Sequence, residues 1–304
     1  MRCRFKRRGD YPASKVSSYN LHMTIAISKP LREKNAIESA AFAIVCRETF
    51  SAVALAAAQR AFEAFGDELP GLEPIHAKVF NFNQATGVNA DPTQYAIGVS
   101  RFHSHPDGTH SWRVNIQANA IVVTCFDYSE WEEVWPRARK YLATVCGVME
   151  APNEIIEIGF QVIDKFVYET KVDEGAYSIH EVFKENCQYL TAKASASGLL
   201  WHVYQGWFQA AQGFSSAIAK TLHQLNLSST EEALVDKQRL ATIVDHRASI
   251  RFMPNSMSLQ ALIREEDGNP ISALDMAFNQ LRDQNKEIIT ELLTAEKLES
   301  IGII

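Results

Sequence analysis

Cysteine is scarce in this sequence: there are five in 304 residues, and no two form a Cys-x-x-Cys pair. An odd number of widely spaced cysteines is typical neither of a disulfide framework nor of a structural zinc knot. The five are Cys3, Cys46, Cys125, Cys146 and Cys187. Because Cys46 alternates in phase with Phe42 and Ile44, we expect it to be a small core residue and not a nucleophile.

The motifs of the best-known catalytic and cofactor sites are also missing. The sequence contains no Gly-x-Ser-x-Gly nucleophile elbow, no Gly-x-x-x-x-Gly-Lys phosphate loop and no Gly-x-Gly-x-x-Gly dinucleotide fingerprint. We therefore expect no cofactor and assign no catalytic residue. These absences favour a protein that is not an enzyme.

Long apolar runs are absent too. No stretch approaches the roughly 18 apolar residues of a membrane-spanning helix, and no charged-then-apolar leader opens the printed sequence. We therefore expect a cytoplasmic protein without a membrane partner. The composition, 46% hydrophobic and 22% charged, is that of an ordinary globular protein and predicts a substantial core.

Charge is distributed unevenly along the chain. Residues 1–34 carry nine lysines or arginines against two acids, a net charge of +7, whereas the whole chain carries −6 and the other 270 residues therefore carry −13. Arg2 to Arg8 lacks hydrophobic periodicity, so we interpret 1–34 as a basic, flexible N-terminal arm. The alternatives are an over-long start with Met23 as the initiator, a transit peptide, and an arm that binds nucleic acid. Because the net negative charge of the other 270 residues repels phosphate, we expect nucleic acid to bind nowhere except at Arg2 to Arg8.

The clearest local pattern is His105-Pro106-Asp107-Gly108-Thr109, the x-Pro-Asp-Gly-x signature of a tight turn. Proline presets φ for the second position, aspartate tolerates the third, and glycine takes the left-handed conformation of a bulged three-residue loop. The resulting register pairs His105 with Thr109, His103 with Ser111 and Phe102 with Trp112. The predicted apolar face comprises Phe102, Trp112, Val114 and Ile116. The predicted solvent-exposed face comprises His103, His105, Arg113, Asn115 and Gln117. His110 is placed on the opposite face from the other two histidines.

Three histidines within eight residues, His103, His105 and His110, also admit a catalytic interpretation. The segment His103-Ser104-His105-Pro106 resembles the His-x-His-Pro segment of JAB/MPN-type zinc hydrolases, and the resemblance implies two zinc ligands. That family has a serine and then an aspartate downstream, but Arg113 stands where the serine belongs, and no aspartate follows before Asp127. A two-residue Asp107-Gly108 turn would gather all three imidazoles on one face, yet Pro106 lacks the amide hydrogen that this turn needs. A metal-dependent hydrolase is therefore the alternative function, and a solvated hairpin tip is preferred.

Hydrophobic periodicity divides the chain into two similar series of elements. The first predicts strands at 36–49, 72–82 and 120–126, a hairpin at 97–117, and helices at 51–65 and 129–147, the second helix opened by a Ser129/Glu132 capping box. The second predicts strands at 155–168, 199–208, 221–228 and 239–252, and helices at 177–194, 258–263 and 269–298.

The recurring order of strand, helix, three strands and helix suggests duplication, with residues 35–150 and 151–304 as two repeats and Phe42 equivalent to Phe160. The predicted fold class is α+β, in which two β-α-β-β-β-α-like repeats form antiparallel sheets with helices packed on one face. The two sheets can also join edge to edge into one saddle, as in TATA-binding-protein-like folds.

One strand carries a further resemblance. Ile158-Gly159-Phe160-Gln161-Val162-Ile163-Asp164-Lys165-Phe166 resembles the Ile-Gly-Leu-Arg-Tyr-Ile-Asn-Arg-Ile strand of a sporadically distributed, uncharacterised bacterial family of similar length. Gln161, Val162 and Asp164 depart from the arginine, tyrosine and asparagine of that pattern. The resemblance implies a fold and a patchy bacterial distribution, which is typical of defence or mobile-element modules. It carries over no catalytic residue.

In the predicted strand 239–252, Asp245-His246-Arg247 invites attention because it joins three ionisable residues. Alternation places His246 with Val244 and Ala248 on one face and the two charged neighbours on the other. The pattern therefore predicts a half-buried histidine beside a solvated ladder of charges.

The stretch 199–208 is dense in aromatic residues. Trp201, Val203 and Trp207 share one face and Leu200, Tyr204 and Phe208 the other, so the strand should be covered on both sides. A central strand sandwiched within the monomer is one explanation, and a dimer or partner interface is the other. The candidate partner-binding residues are Trp201, Tyr204, Trp207 and Phe208. We favour a non-enzymatic protein-binding or scaffold protein that acts through its sheet surface, by self-association or with a protein partner.

Overall fold

A computed structural model describes residues 27–79, 93–149, 153–168, 176–215, 217–233, 238–264 and 272–304. The strands of this part of the chain are β1 (Ser28–Pro30), β2 (Ile37–Cys46), β3 (Gly71–Val79), β4 (Thr93–Ser104), β5 (His110–Gln117), β6 (Ala120–Cys125), β7 (Ile155–Tyr168), β8 (Trp201–Ala210), β9 (Ala219–Ala233) and β10 (Gln238–Phe252). Its helices are α1 (Ala52–Ala61), α2 (Trp131–Val148), α3 (Ala192–Ser195), α4 (Leu259–Ile263), α5 (Ala273–Leu292) and α6 (Ala295–Ser300). Within these ranges, no helix combines the length and the apolar character that crossing a bilayer requires.

Several predictions fall on residues outside these ranges. They are the cluster Arg2 to Arg8, the alternative initiator Met23, the end of the strand predicted at 72–82, and the Asn269-Pro270 start of the last helix.

All ten strands pair antiparallel in one sheet, in the order β3-β4-β5-β6-β2-β7-β10-β9-β8, with β1 beside β7 beyond the end of β2. An antiparallel sheet with separate helices confirms the α+β class. The two sheets expected from the sequence are one continuous sheet, because β2 and β7 pair with each other.

The β2–β7 pair lies at the middle of the sheet, where Phe42 is directly opposite Phe160. From this pair outwards, the order on one side is β2-β6-β5-β4, and on the other it is β7-β10-β9-β8. Each side therefore places its first strand innermost and its last three strands in reverse chain order. This is the order that a repeated unit would produce, and the duplication itself stays a prediction.

The main core lies between one face of the sheet and helices α2 and α5. The Phe42 ring contacts the rings of Trp131 and Trp135 from α2, of Phe278 from α5 and of Phe160, with centroids 5.1–6.0 Å apart. The predicted inward stripes are confirmed, because each of their members is buried. They are Trp131, Val134, Trp135, Ala138, Tyr141, Leu142 and Val145 of α2, and Leu274, Phe278, Leu281, Ile288 and Leu292 of α5.

One part of the predicted flexible arm 1–34 is a strand in the structure. Residues 28–30, which belong to the predicted flexible arm, form β1. The Ser28 amide and hydroxyl both donate to Glu181 Oε1, at 2.8 and 2.9 Å. The buried Lys297 ammonium donates to the same carboxylate oxygen and to the Ser28 carbonyl. This buried ion pair fixes the strand to the C-terminal helix α6.

The helix predicted at 177–194 is wrong. This segment contains only a 3-10 turn at Ile179–Glu181 and the four-residue α3. Its backbone bonds instead to the end of α5: the Lys184 amide donates to Leu292, and the Thr294 amide donates to Val182. Amphipathic spacing cannot distinguish a helix from a segment whose amides pair with a distant strand-like partner.

The predicted boundaries of two helices also differ from those in the structure. Helix α2 begins after Glu130 without a side-chain cap, and the Ser129 hydroxyl donates to Glu133, so the predicted Ser129/Glu132 capping box is wrong. A capping box does occur at α5, between Ser272 and Asp275. The last helix stops at Leu292, and Thr294 caps the separate α6.

A polar layer crosses the core beneath α5. His223 and His246, each only 1% exposed, stack with their rings 5.4 Å apart and share a 3.1 Å contact between Nδ1 and Nε2. The Asn285 side chain of α5 reaches His246 Nδ1 at 2.9 Å. His246 is thus fully buried where half burial was predicted, and the separation of Asp245 and Arg247 onto the other face is as predicted.

We expect Phe42→Ala to lower the free energy of unfolding by about 3–5 kcal/mol, because it leaves a cavity where four aromatic rings meet. Urea denaturation measures the change. The exposed Val53 of α1 gives the matched control, since Val53→Ala should change stability by less than about 0.5 kcal/mol. Equal effects of the two substitutions would contradict this position of the core.

We also expect the two buried histidines to destabilise the fold in mild acid, against the opposite contribution of Asp164, whose pKa burial raises to about 7. Burial lowers the pKa of His223 to about 4 and that of His246 to about 3, from 6.5. Below pH 6.5 the unfolded chain binds protons that the folded core excludes, so unfolding becomes easier by about 1.4 kcal/mol per pH unit for each histidine. His223→Gln should make the profile between pH 6.5 and 4 shallower, measured by urea denaturation at stepped pH. His202→Gln, on the surface, is the control; a steeper profile for His223→Gln would contradict the assignment.

Candidate functional site

The turn between β4 and β5 has the predicted geometry. The Gly108 amide donates to the His105 carbonyl at 2.9 Å, and the His105 amide donates to the Thr109 carbonyl at 2.8 Å. Gly108 has φ +86°, in the left-handed region that the bulged loop requires. The Asp107 carboxylate accepts from the Thr109 amide and hydroxyl, which lowers its pKa. The predicted three-residue loop is confirmed.

The register beyond the turn differs from the prediction. A β-bulge between His103 and Ser104 places His103, not Phe102, opposite Trp112. His103 therefore lies on the face that carries the helices, and Phe102 lies opposite Arg113 on the open face. The bulge adds one residue to a single strand, which moves each following side chain to the other face. The predicted grouping of Phe102 with the apolar residues is wrong for this reason.

Each of the three histidines has its own hydrogen-bond partners, and no partner is shared. His103 Nδ1 lies 2.6 Å from Ser111 Oγ, and His105 Nε2 lies 2.6 Å from Asp127 Oδ2. The His103 and His105 rings are 6.0 Å apart and perpendicular. His110 lies on the other side, where Nδ1 contacts Ser104 Oγ at 2.8 Å and Nε2 contacts Arg113 at 2.8 Å.

His103 and His105 line a cavity of about 530 Å³ between the hairpin and the start of α2. Its other polar residues include Asp67, Glu68, Ser111, Asp127, Glu133 and Arg137. A serine, two imidazoles and an aspartate stand close together, as nucleophilic catalysis requires. However, the serine bonds one histidine and the aspartate bonds the other, so no single imidazole is both activated and oriented as in a triad.

The partnership of His105 with Asp127 was not found from the sequence. Twenty-two positions separate the two residues. The only signal in the sequence is that Asp127 lies two residues after the end of β6, which pairs with β5. Among the residues that the structure describes, no three His, Cys, Asp or Glu side chains lie close enough together to hold a metal ion. The expected third ligand, His110, is directed elsewhere.

The buried cysteines have the surroundings of core residues. Burial raises the pKa of the Cys46 and Cys125 thiols to about 12, and it raises the pKa of the Cys146 and Cys187 thiols as well. A thiolate nucleophile needs a lowered pKa and access to solvent. These four thiols have neither.

The aromatic strand predicted at 199–208 is β8, the last strand of the sheet. The explanation as a central sandwiched strand is therefore wrong. Its outer edge makes no backbone pair with any residue in the described ranges. Unpaired edges of this kind accept further strands unless the protein blocks them.

The two faces of β8 differ in exposure. Trp201 is only 7% exposed and donates from Nε1 to the Tyr177 hydroxyl at 2.7 Å. Trp207 is half-buried and stacks between Tyr189 and His223, with ring centroids 5.5 and 5.1 Å away. On the open face, Leu200, Tyr204 and Phe208 are 59%, 60% and 60% exposed. Of the four candidates, Tyr204 and Phe208 are thus available to a partner, whereas the two tryptophans support the strand from behind.

Comparison with known proteins found no matching family model, no matching curated protein and no matching solved structure. The resemblance of 158–166 to a bacterial family therefore stays a prediction.

We expect the purified protein to hold far less than one zinc ion per chain after dialysis, because His103 and His105 lack a converging third ligand. Elemental analysis measures the content, with His110→Ala as the control for loss of one imidazole. Stoichiometric zinc that disappears in a His103→Ala, His105→Ala double variant would contradict this expectation and favour the hydrolase.

Proposed function

We propose that this chain is a non-enzymatic protein-binding protein, or scaffold, whose docking surface is the edge strand β8 together with Leu200, Tyr204 and Phe208. Their exposure on one face of an unpaired edge is the observation that carries the proposal. Large apolar and aromatic side chains dominate the binding energy of protein interfaces. The first occupant that we propose is a second copy of the chain.

The open face around these side chains suits protein contact. Tyr204 is opposite Asn226 and Phe208 is opposite Leu222 on the neighbouring β9. The Tyr204 hydroxyl accepts from Gln224 at 2.7 Å. Apolar side chains surrounded by polar ones form the usual arrangement of an interface core and rim.

The packing behind β8 supports the same function. Trp201 and Trp207 fix the strand against the aromatic side chains of residues 177–189. A strand held in place before binding loses less conformational entropy when a partner pairs with it. Backbone pairing along a free edge, with side-chain contacts on one face, is a common way to recognise an extended segment.

The finer parts of this proposal rest on the sequence and on strand order. We propose that two duplicated units make up the sheet, which the matching order on both sides of β2–β7 supports. A cytoplasmic location is supported by the apolar-run analysis. A place in a bacterial defence or mobile-element module is supported only by the resemblance of 158–166.

We expect the protein to behave as a dimer, with a light-scattering mass near twice the chain mass of 34.1 kDa. A Tyr204→Ser, Phe208→Ser double variant should be monomeric at the same concentration, because it removes the apolar contacts of the docking surface. Size-exclusion chromatography with light scattering measures both.

Leu72→Ser provides the control for this experiment. Leu72 is also exposed and apolar, but it lies on β3 at the opposite edge of the sheet, so its loss should leave the dimer intact. A monomeric parent protein, or a double variant that still dimerises, would contradict the proposed docking surface.

A further inference from the structure

Asp164 occupies an unusual position in β7. It follows Ile158, Phe160 and Val162 on the face that carries the helices, and it is 4% exposed. No hydrogen bond or ion pair joins its carboxylate to any side chain or backbone group in the described ranges. Buried carboxylates are almost always paired, because burying an uncompensated charge is costly.

The carboxylate lines a cavity of about 310 Å³. The cavity lies between the segment that enters β2, the start of α2, helix α5 and the C-terminal residues 301–303. Its volume is at the small end of the range for ligand pockets, which indicates a small molecule. One wall is apolar and includes Ile37, Ile289, Ile301 and Ile303.

The sheet is irregular beside this carboxylate. The pairing of β2 with β7 shifts between Ile37, which is opposite Asp164, and Ser39, which is opposite Ile163. Such bulges are frequent next to binding sites, since they redirect a side chain or end a pairing. Here the irregularity lies where Asp164 meets the cavity.

Three cations and one further acid, Glu132, also line the cavity, and Arg282 already pairs with Asp283 at 2.7 Å and with Glu132 at 3.9 Å. Lys34 and Lys286 are exposed, and Arg282 is half-buried above the Trp131 ring, 5.2 Å from its centroid. The buried Asp164 carboxyl therefore shares the cavity with the exposed ammonium groups of Lys34 and Lys286. A ligand with a cation at one end and an anion at the other would match both.

We propose that this cavity binds a small zwitterion of the free amino acid class, with its ammonium or guanidinium group on Asp164 and its carboxylate near Lys34, Arg282 and Lys286. The bound cation supplies the donors and the countercharge that Asp164 lacks. The isoleucine wall accommodates an aliphatic part of the ligand. This site is separate from β8 and does not depend on the docking surface proposed above.

The protonation state of Asp164 supports this arrangement. Burial raises the pKa of Asp164 to about 7, so the empty site holds a proton in mild acid. A bound cation must displace that proton, and affinity should therefore weaken about tenfold for each pH unit below the pKa. The other charged or titratable groups that face the cavity are Lys34, Tyr128, Glu132, Arg282 and Lys286, and His246 lies on the neighbouring β10.

The test is calorimetric titration of the full chain with each standard free amino acid at pH 8. Butylamine and butyrate are the single-charge probes. We expect at least one amino acid to bind with a dissociation constant below about 1 mM, and both single-charge probes to bind about tenfold more weakly or not at all. No binding by any amino acid would overturn the proposal, as would equal binding of butylamine.

Two variants separate the site from the fold. Asp164→Asn should remain folded, because it replaces a buried charge with a neutral amide, and it should weaken binding at least about tenfold. Asp245→Asn removes a carboxylate from the open face and should leave binding unchanged. Ile303→Trp should fill the cavity and abolish binding even with Asp164 present. Unchanged affinity in both Asp164→Asn and Ile303→Trp would place the bound molecule elsewhere and overturn the assignment.

Discussion

Strands β2 and β7 pair at the centre of the sheet, and every other strand reaches the centre through one of them. The tilted contact of the Phe42 and Phe160 rings, whose centroids are 5.1 Å apart, lies on this pair and under both long helices. The helix layer repeats the connection: the Trp135 indole and Arg139 of α2 both donate to Asp275 of α5. The backbone hydrogen bonds of β2–β7, the aromatic cluster and the contacts between α2 and α5 all connect the two sides of the sheet. Three kinds of interaction therefore hold these two sides together.

A polar layer divides the interior that this pair creates. The larger apolar cluster ends along β7 at Val162, and the second begins at Phe166, with Asp164 between them. On the same level, His246 and His223 lie beneath Gln280, Gln284 and Asn285 of α5. Burial favours the neutral forms of the carboxyl and of both imidazoles, so the layer costs less than three buried charges. The bond between Asn285 and His246 favours one alignment of α5 over the sheet, because an apolar residue at the position of Asn285 would leave the buried ring nitrogen of His246 without a partner.

The sequence predicted most of what depends on neighbouring residues. The turn at Gly108 follows from backbone chemistry, and the stripes of α2 and α5 follow from helical spacing, so both are correct. The bulge at His103 and the coil at 177–194 are set by distant strands and by α5, which no local pattern reveals. The cavity around Asp164 is assembled from segments as far apart as Lys34 and Ile303. An aspartate in phase with Phe160 and Val162 is the one local sign of it, and from the sequence alone this aspartate is only a departure from a family pattern.

The alternation of side chains along β8 is as predicted, but the central place in the sheet that this alternation suggests for the strand is wrong. Two apolar faces predict two covered faces, yet the residues that the structure describes cover only the face of Trp201 and Trp207. Sheet edges are commonly protected by charge, proline or a short length, and β8 has ten residues with neither a charged side chain nor a proline. Leaving Tyr204 and Phe208 in water forgoes roughly 25 cal/mol for each Å² of apolar surface that burial would remove from solvent. The proposed second copy would remove this apolar surface from water, and Trp201 and Trp207 already hold the strand in place for such a contact.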